Sequence, residues 1–267
     1  MQRMKTVLVI GAGGGMGRAC VKQLHDDGYR VIGLDRSTDS IPDGCECYAA
    51  DVTRADELNA AFDAISARTD ALYAIVYVTG VYDMDSLVEI DEARLRRIFD
   101  VNVFGAYRAI KTFFPLLKPD SRAVIVTSEL APLDPLPFTG LYGITKGTLE
   151  GYAFSLAMEL QLLGISVSVI RPGAVETPLL AQSVTRIKAF TEATELYPGQ
   201  AARFLRVTEK VESKSIPPEA VARKVRFVLR AKRPRYLYTQ NRNPLLLLFG
   251  ALPKQWKLGI IKRFLGR

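Results

Sequence analysis

Lys5-Thr-Val-Leu-Val-Ile-Gly-Ala-Gly-Gly-Gly-Met-Gly-Arg18 is a short apolar run that breaks abruptly into glycines. Val7–Ile10 reads as a buried strand, the glycines as a tight turn, and the residues from Met16 onward as a helix. Gly11, Gly15 and Gly17 stand in the spacing G-x-x-x-G-x-G. Glycine permits the turn and lets backbone approach a pyrophosphate, which sits well on the positive N-terminal end of a helix. Such a turn can also do no more than join a strand to a helix. The next apolar run, Arg30 to Leu34, ends at Asp35. That is about 20 residues beyond the glycines, where a dinucleotide site needs a carboxylate for the adenosine ribose hydroxyls. An ordinary solvated turn aspartate is the plainer alternative.

The rest of the chain repeats the same unit. Strands are expected near Val7–Ile10, Val31–Leu34, Cys47–Ala49, Leu72–Val78, Ala123–Ser128, Ser166–Ile170 and Tyr236–Tyr238. Helices are expected near Met16–Asp27, Ala55–Ala67, Asp91–Phe114, Gly140–Leu163 and Pro218–Arg230. Apolar runs alternating with amphipathic helices imply an α/β fold, a doubly wound parallel sheet covered on both faces. Ligands in such sheets bind beyond the carboxyl ends of the strands. Gly11, Asp35, Asp51, Gly80, Ser128 and Pro172 all follow expected strand ends, so residues far apart in sequence fall along one rim.

Tyr142 and Lys146 lie four residues apart, fourteen residues after Ser128. On a helix, positions i and i+4 share a face, so phenol and ammonium can point into one cleft. A phenol titrates near ~10, and a nearby cation favours its ionised form. The pair is one way to make a proton donor and acceptor that works near neutral pH. Alone it is weak, because a Tyr and a Lys at this spacing also arise by chance. Ser128 ends Val-Ile-Val-Thr-Ser, read as the end of the fifth strand, with Thr127 and Glu129 alternating to the other face.

Taken together, these motifs resemble the compact short-chain dehydrogenases/reductases over about residues 5 to 238. The resemblance implies a single-domain Rossmann fold with Ser128, Tyr142, Lys146 and Asn102, from Asp100-Val-Asn-Val-Phe-Gly105, as the catalytic set. It implies a dinucleotide held by Gly11, Gly15, Met16, Gly17, Asp35, Arg36, Asp51, Val52, Gly80, Tyr142 and Lys146. Arg171-Pro172-Gly173, with Val175 and Thr177, resembles the segment that covers the nicotinamide. Two departures stand out. The family's Asn-Asn-Ala-Gly is here Tyr77-Val78-Thr79-Gly80, and the Ser-to-Tyr separation is one residue longer than usual. In the mechanism the resemblance implies, Ser128 and Tyr142 hold the substrate oxygen and Tyr142 exchanges its proton. Lys146 lowers the Tyr142 pKa and binds the nicotinamide ribose, and Asn102 relays protons through water.

The choice of dinucleotide rests on charge. A carboxylate at Asp35 accepts from ribose hydroxyls and repels a 2′-phosphate. Arg36 could restore phosphate binding, but position 14 is glycine where phosphate-preferring relatives often carry a basic residue. NAD(H) is therefore expected over NADP(H).

The chain has 267 residues and 48% hydrophobic content, ample for one large core. Cys20, Cys45 and Cys47 show neither metal spacing nor even pairing, and read as reduced thiols in a cytoplasmic protein. His25 is the only histidine and reads as a solvated helix end. A Ser-His-Asp hydrolase is excluded and no metal is expected. The opening Met-Gln-Arg-Met-Lys reads as the approach to the first strand, since the apolar run behind it is too short for an export signal.

Charge is uneven. From Arg203 to Arg267 there are 17 Lys and Arg against 3 Asp and Glu, a balance of +14; the remaining 202 residues carry 19 against 25, or −6, giving the chain its +8. Residues 1–240 are read as the dinucleotide-binding and catalytic domain and 241–267 as a basic apolar extension. If helical, Ile260, Ile261, Phe264 and Leu265 gather on one side, which suits lying on a membrane; packing on its own subunit or a partner is the other reading. Nucleic acid is not expected as a partner.

This extension resembles the retinol and 17β-hydroxysteroid dehydrogenase-like branch in Arg235-Tyr236, Leu245–Leu248, Leu252-Pro253 and Lys262-Arg263. That implies a lipophilic alcohol or its ketone or aldehyde, steroid- or retinoid-like, as substrate. Residues 175–216, with Leu179, Leu180, Phe190, Leu196, Tyr197 and Phe204, read as an apolar lid. A homodimer or homotetramer through the helices carrying Asn102 and Tyr142 is also implied. Rival readings are an NADP-dependent reductase of acyl-type carbonyls and a non-catalytic dinucleotide-sensing binding protein.

Overall fold

Thr6–Ile10 (β1) pairs in parallel with Arg30–Asp35 (β2) on one side and Leu72–Tyr77 (β4) on the other, so the strand before the glycines is central. Glu46–Ala49 (β3), Leu117–Val126 (β5), Ser166–Pro172 (β6) and Leu237–Gln240 (β7) complete a sheet of order β3-β2-β1-β4-β5-β6-β7, parallel throughout. In this computed structural model residues 4–212 and 215–266 are described. Residues 1–3, read as the approach to β1, Ser213 and Lys214 of the lid segment, and Arg267 of the basic extension lie outside them.

The inner strands are apolar on both faces because both faces are covered, whereas the edge strands β3 and β7 carry polar residues and no buried side chain. Leu8, Ile10, Ile32, Leu34, Ile75 and Tyr77 turn one way, against Ala55–Ser66 (α2), Gly105–Phe113 (α4) and Gly140–Leu160 (α5). Val7, Val9, Val31, Ala74 and Val76 turn the other way, against Gly15–Asp26 (α1) and Pro218–Arg230 (α8). Burying each such Val, Leu or Ile contributes about 1.5–3 kcal/mol. The doubly wound architecture is the one expected.

Several boundaries differ from expectation. β5 begins at Leu117, earlier than the apolar run, because Leu117 pairs with Leu72 before an irregularity carries the ladder on to Ala74 and Arg122. It ends at Val126, so Ser128 lies two residues past the strand rather than on it. The helix expected over Asp91–Phe114 is interrupted: Glu92–Phe99 (α3) and α4 are joined by a π-helical turn, Asp100–Phe104. The lid segment contains two helices, Pro178–Ala193 (α6) and Pro198–Glu212 (α7), and the extension two more, Pro244–Gly250 (α9) and Lys254–Leu265 (α10).

Candidate active site

The carboxyl ends of the strands open on a cleft of about 1420 Å³. Of the residues singled out in the sequence, Gly11, Gly15, Met16, Gly17, Asp35, Arg36, Asp51, Val52, Gly80 and Thr177 line it. The glycine turn is fastened to β2: Gly11 and Ala12 N–H donate to Leu34 O (2.8 and 3.1 Å) and Gly13 N–H to the Asp35 Oδ2 (2.9 Å). The other Asp35 oxygen accepts from Arg36 N–H at 2.7 Å. A Cβ on Gly17 would stand 1.9 Å from Gly11 O, so only glycine lets α1 start this close to the turn. Gly14, the N-cap of α1, makes no side-chain cap, which leaves first-turn N–H groups for an anion at the cleft wall. This cradle fits a dinucleotide pyrophosphate. Asp51 is occupied locally, its Oδ1 accepting from Thr53 N–H and Oγ1, both 2.8 Å.

Thr79 replaces a family asparagine by packing rather than by bridging. A Cβ on Gly11 would meet its Oγ1 at 2.7 Å, and Val78 N–H donates to Ile10 O (2.9 Å) to hold the β1 and β4 ends together.

Beyond Gly80 lies the second group. α5 carries Tyr142, Thr145 and Lys146 on one face, all buried. The Ser128 side chain stands near the Tyr142 hydroxyl and works against the effect of burial on it, while Ser128 Oγ accepts from Leu130 N–H at 3.2 Å. Its ring rests on Tyr82, centroids 4.9 Å apart. Asn102, fully buried, is presented by the π-helical turn: its Oδ1 accepts from Val81 N–H (2.8 Å), and its Nδ2 donates to Val81 O and Thr145 Oγ1 (both 3.0 Å). π-helical turns are frequent where a helix must aim a functional side chain. A Cβ on Gly80 would lie 3.0 Å from Lys146 Nζ and 3.4 Å from Asn102 Oδ1, so Gly80 is where this group meets the cleft.

One electrostatic expectation is corrected. Lys146 was expected to lower the Tyr142 pKa. Burial instead pushes the Tyr142 phenol up to about 12, with the nearby Ser128 side chain working the other way, and pulls the Lys146 ammonium down to about 8. The cause is burial of both groups in one desolvated pocket, where Lys146 Nζ lies 5.7 Å from the centroid of the Tyr142 ring.

Pro172, Gly173 and Val175 do not line the cleft, and neither do Ser128, Asn102, Tyr142 and Lys146, which lie behind Gly80. Pro172 O accepts from Glu129 N–H (2.8 Å), Gly173 N–H donates to Gln240 O (2.9 Å), and Val175 bridges to Ile216. Sequence reading missed Thr145, whose hydroxyl donates to Tyr142 O (2.8 Å) while accepting from Asn102. Its signal was there: a hydroxyl three residues after Tyr142 on the face shared with Lys146. Also missed were Tyr82 and the Arg171–Glu150 ion pair, which ties β6 to α5. Among the described residues no cluster of His, Cys, Asp and Glu could hold a metal ion.

A glycine-lined dinucleotide cleft on a doubly wound sheet, adjoining a buried Ser–Tyr–Lys group, defines a nicotinamide-dependent oxidoreductase. The chain belongs to the short chain dehydrogenase family, whose model matches residues 5–188. It is 28% identical to the uncharacterized oxidoreductase YbbO of Escherichia coli K12, covering 98% of this chain and 90% of that protein. It is 23% identical to a 3-ketodihydrosphingosine reductase of Bacteroides thetaiotaomicron, covering 94% and 92%. Among solved structures, ligand-free aldohexose dehydrogenase (AldT) of Thermoplasma acidophilum superposes with a TM-score of 0.75 at 24% identity, covering 91% of this chain and 96% of that one.

Proposed function

We propose that the protein interconverts a lipophilic alcohol and its ketone or aldehyde with NAD(H), using Tyr142 as general acid and base. The observation that carries this is the buried Tyr142–Lys146 pair, one helical turn apart on α5 with Lys146 Nζ and Asn102 Oδ1 meeting the dinucleotide cleft at Gly80.

The dinucleotide would be held by the α1 N-terminus, Asp35 and the Thr177 segment. When bound, it gives or takes the hydride. The chain's own residues manage the oxygen. Ser128 and Tyr142 hold it by hydrogen bonds, and Tyr142 supplies the proton as hydride arrives at the carbon, or removes it in the reverse direction. Burial pushes the phenol up to about 12, so Tyr142 carries its proton at neutral pH in the free protein. Lys146, at about 8, titrates close enough to neutrality to return the proton. Asn102 is a positioning residue that holds Val81 and Thr145 around the pair.

Support for a lipophilic substrate comes from an aromatic cluster linked to Tyr142 through Tyr82. Phe138 gathers Phe190, Tyr197 and Phe204 of the lid segment at centroid distances of 4.7, 5.4 and 5.6 Å. Tyr82, Met84 and Ile187 belong to the same cluster. A lid built this way excludes water and accepts few polar groups. The 3-ketodihydrosphingosine reductase among the relatives is named for such a keto substrate. The preference for NAD(H) rests on the Asp35 carboxylate at the cleft wall. Self-association through α4 and α5 is part of the same proposal, supported by exposed Phe104, Tyr107, Phe154 and Met158.

The test is a panel of lipophilic ketones, aldehydes and alcohols, with acyl thioesters and sugars as contrasts, read by NADH and NADPH absorbance. Turnover confined to thioesters or sugars, or none with tight NADH binding, would overturn it.

A further inference from the structure

The C-terminal helices are fixed to the body by their inner sides. Leu246, Phe249 and Gly250 of α9 close over Leu130 and Leu133. Lys257 of α10 is buried and donates to Asp134 Oδ2 (2.8 Å) and Gly250 O (2.7 Å), which ties the two helices into one corner. Ile261 and Leu265 pack with Met84, Ile187 and Phe204, while the Arg203 guanidinium donates twice to Leu265 O (2.6 and 3.1 Å). The four residues expected to share one apolar side are thus divided: Ile261 and Leu265 turn inward, Phe264 is exposed, and Ile260 is half-buried outside that cluster.

What remains outside is apolar and basic together. Leu245, Leu248, Trp256, Leu258 and Phe264 are exposed, Trp256 to 65% and Phe264 to 69%. Lys262 and Arg263 are exposed beside them, as is Lys254, whose Nζ lies 3.7 Å from Asp134. From residue 241 to 267 there are six Lys and Arg and no Asp or Glu. Because the inner sides are anchored, these apolar residues have nowhere within the fold to go. Exposed large apolar residues gathered in this way mark an interaction surface.

We infer that this corner docks on an anionic lipid surface. Charge complementarity selects the occupant. A second copy meeting the patch by two-fold symmetry would set the same cations against each other, whereas an anionic bilayer accepts the leucines and aromatic rings into its boundary and the lysines at its headgroups. Among the described residues no helix is long and apolar enough to cross a membrane, and α10, at 12 residues, suits lying in the interface. The placement has a structural consequence. The inner side of α10 belongs to the apolar cluster that includes Tyr82, whose ring rests on Tyr142.

The chain reports on itself, since Trp256 is its only tryptophan. The purified full-length protein is titrated with vesicles of phosphatidylcholine alone and of phosphatidylcholine with phosphatidylglycerol, following tryptophan emission and co-sedimentation. Anionic vesicles should shift the emission to the blue and carry the protein down; neutral vesicles should do so far less. Lys262→Glu/Arg263→Glu should weaken partitioning roughly 30-fold or more. Leu248→Ser/Phe264→Ser should weaken it on both vesicle types, with NADH binding and thermal unfolding unchanged as evidence of intact folding. The inference is overturned if wild-type protein stays unbound or if neither double variant alters partitioning. Self-association that Leu248→Ser/Phe264→Ser abolishes, without vesicle binding, would equally overturn it by showing a copy–copy interface.

Discussion

Replacing Lys146 by methionine should stabilise the protein at neutral pH while removing its chemistry. Lys146 is 3% exposed, and burial draws its ammonium from the usual 10.5 to about 8. At ~1.4 kcal/mol per pH unit this corresponds to about 3 kcal/mol against the folded state. The sign follows from proton counting. Below pH 8 the lysine is charged in both states and the folded state bears the full burial cost. Between 8 and 10.5 the folded state releases its proton first, so the cost shrinks as pH rises, and above 10.5 it is gone. Methionine has a similar length and no charge to desolvate. The variant should therefore gain about 3 kcal/mol near pH 7, or roughly 6–12 °C in Tm, and less than about 1 kcal/mol near pH 10. Urea unfolding of both proteins at the two pH values, without dinucleotide, measures this. An advantage of equal size at both would show that apolar packing, not charge burial, is responsible. A loss of stability near pH 7 would refute the reasoning outright.

Gly17→Ala places a Cβ 1.9 Å from Gly11 O; α1 must shift, and NADH affinity should fall more than about tenfold in a fluorescence titration. Asn102→Ala removes the partner of the part-buried Val81 N–H and C=O at the cleft wall, which should cost about 1–2 kcal/mol in urea unfolding. Asp35→Ser removes the carboxylate that faces a 2′-phosphate, and the ratio of NADPH to NADH affinity should rise by about tenfold or more.

The parallel sheet was legible because its inner strands are apolar on both faces, and because β1 runs into Gly11 and β2 ends on Asp35 at the rim. Gly17 was legible for the same reason that it cannot be replaced: it meets Gly11 O. The interruption at Asp100–Phe104 was not, because no proline marks it and the turn is set by what Asn102 must reach, Val81 and Thr145 from other parts of the chain. The electrostatics of Tyr142 and Lys146 were misread because spacing fixes the shared face but not burial, and desolvation outweighs their mutual influence. The sidedness of α10 failed in a similar way. Ile261 and Leu265 are drawn inward by Phe204 and Arg203, which belong to the lid segment more than fifty residues earlier.

Tyr142→Phe tests the central claim most directly, because it deletes one oxygen and leaves the ring on Tyr82. Measured on the best substrate of the panel, the variant should bind NADH as the parent does and lose turnover by ~10²–10⁴-fold. Turnover close to the parent's, with NADH affinity intact, would mean that the proton comes from elsewhere and that the Ser128–Tyr142–Lys146 group is only part of the core.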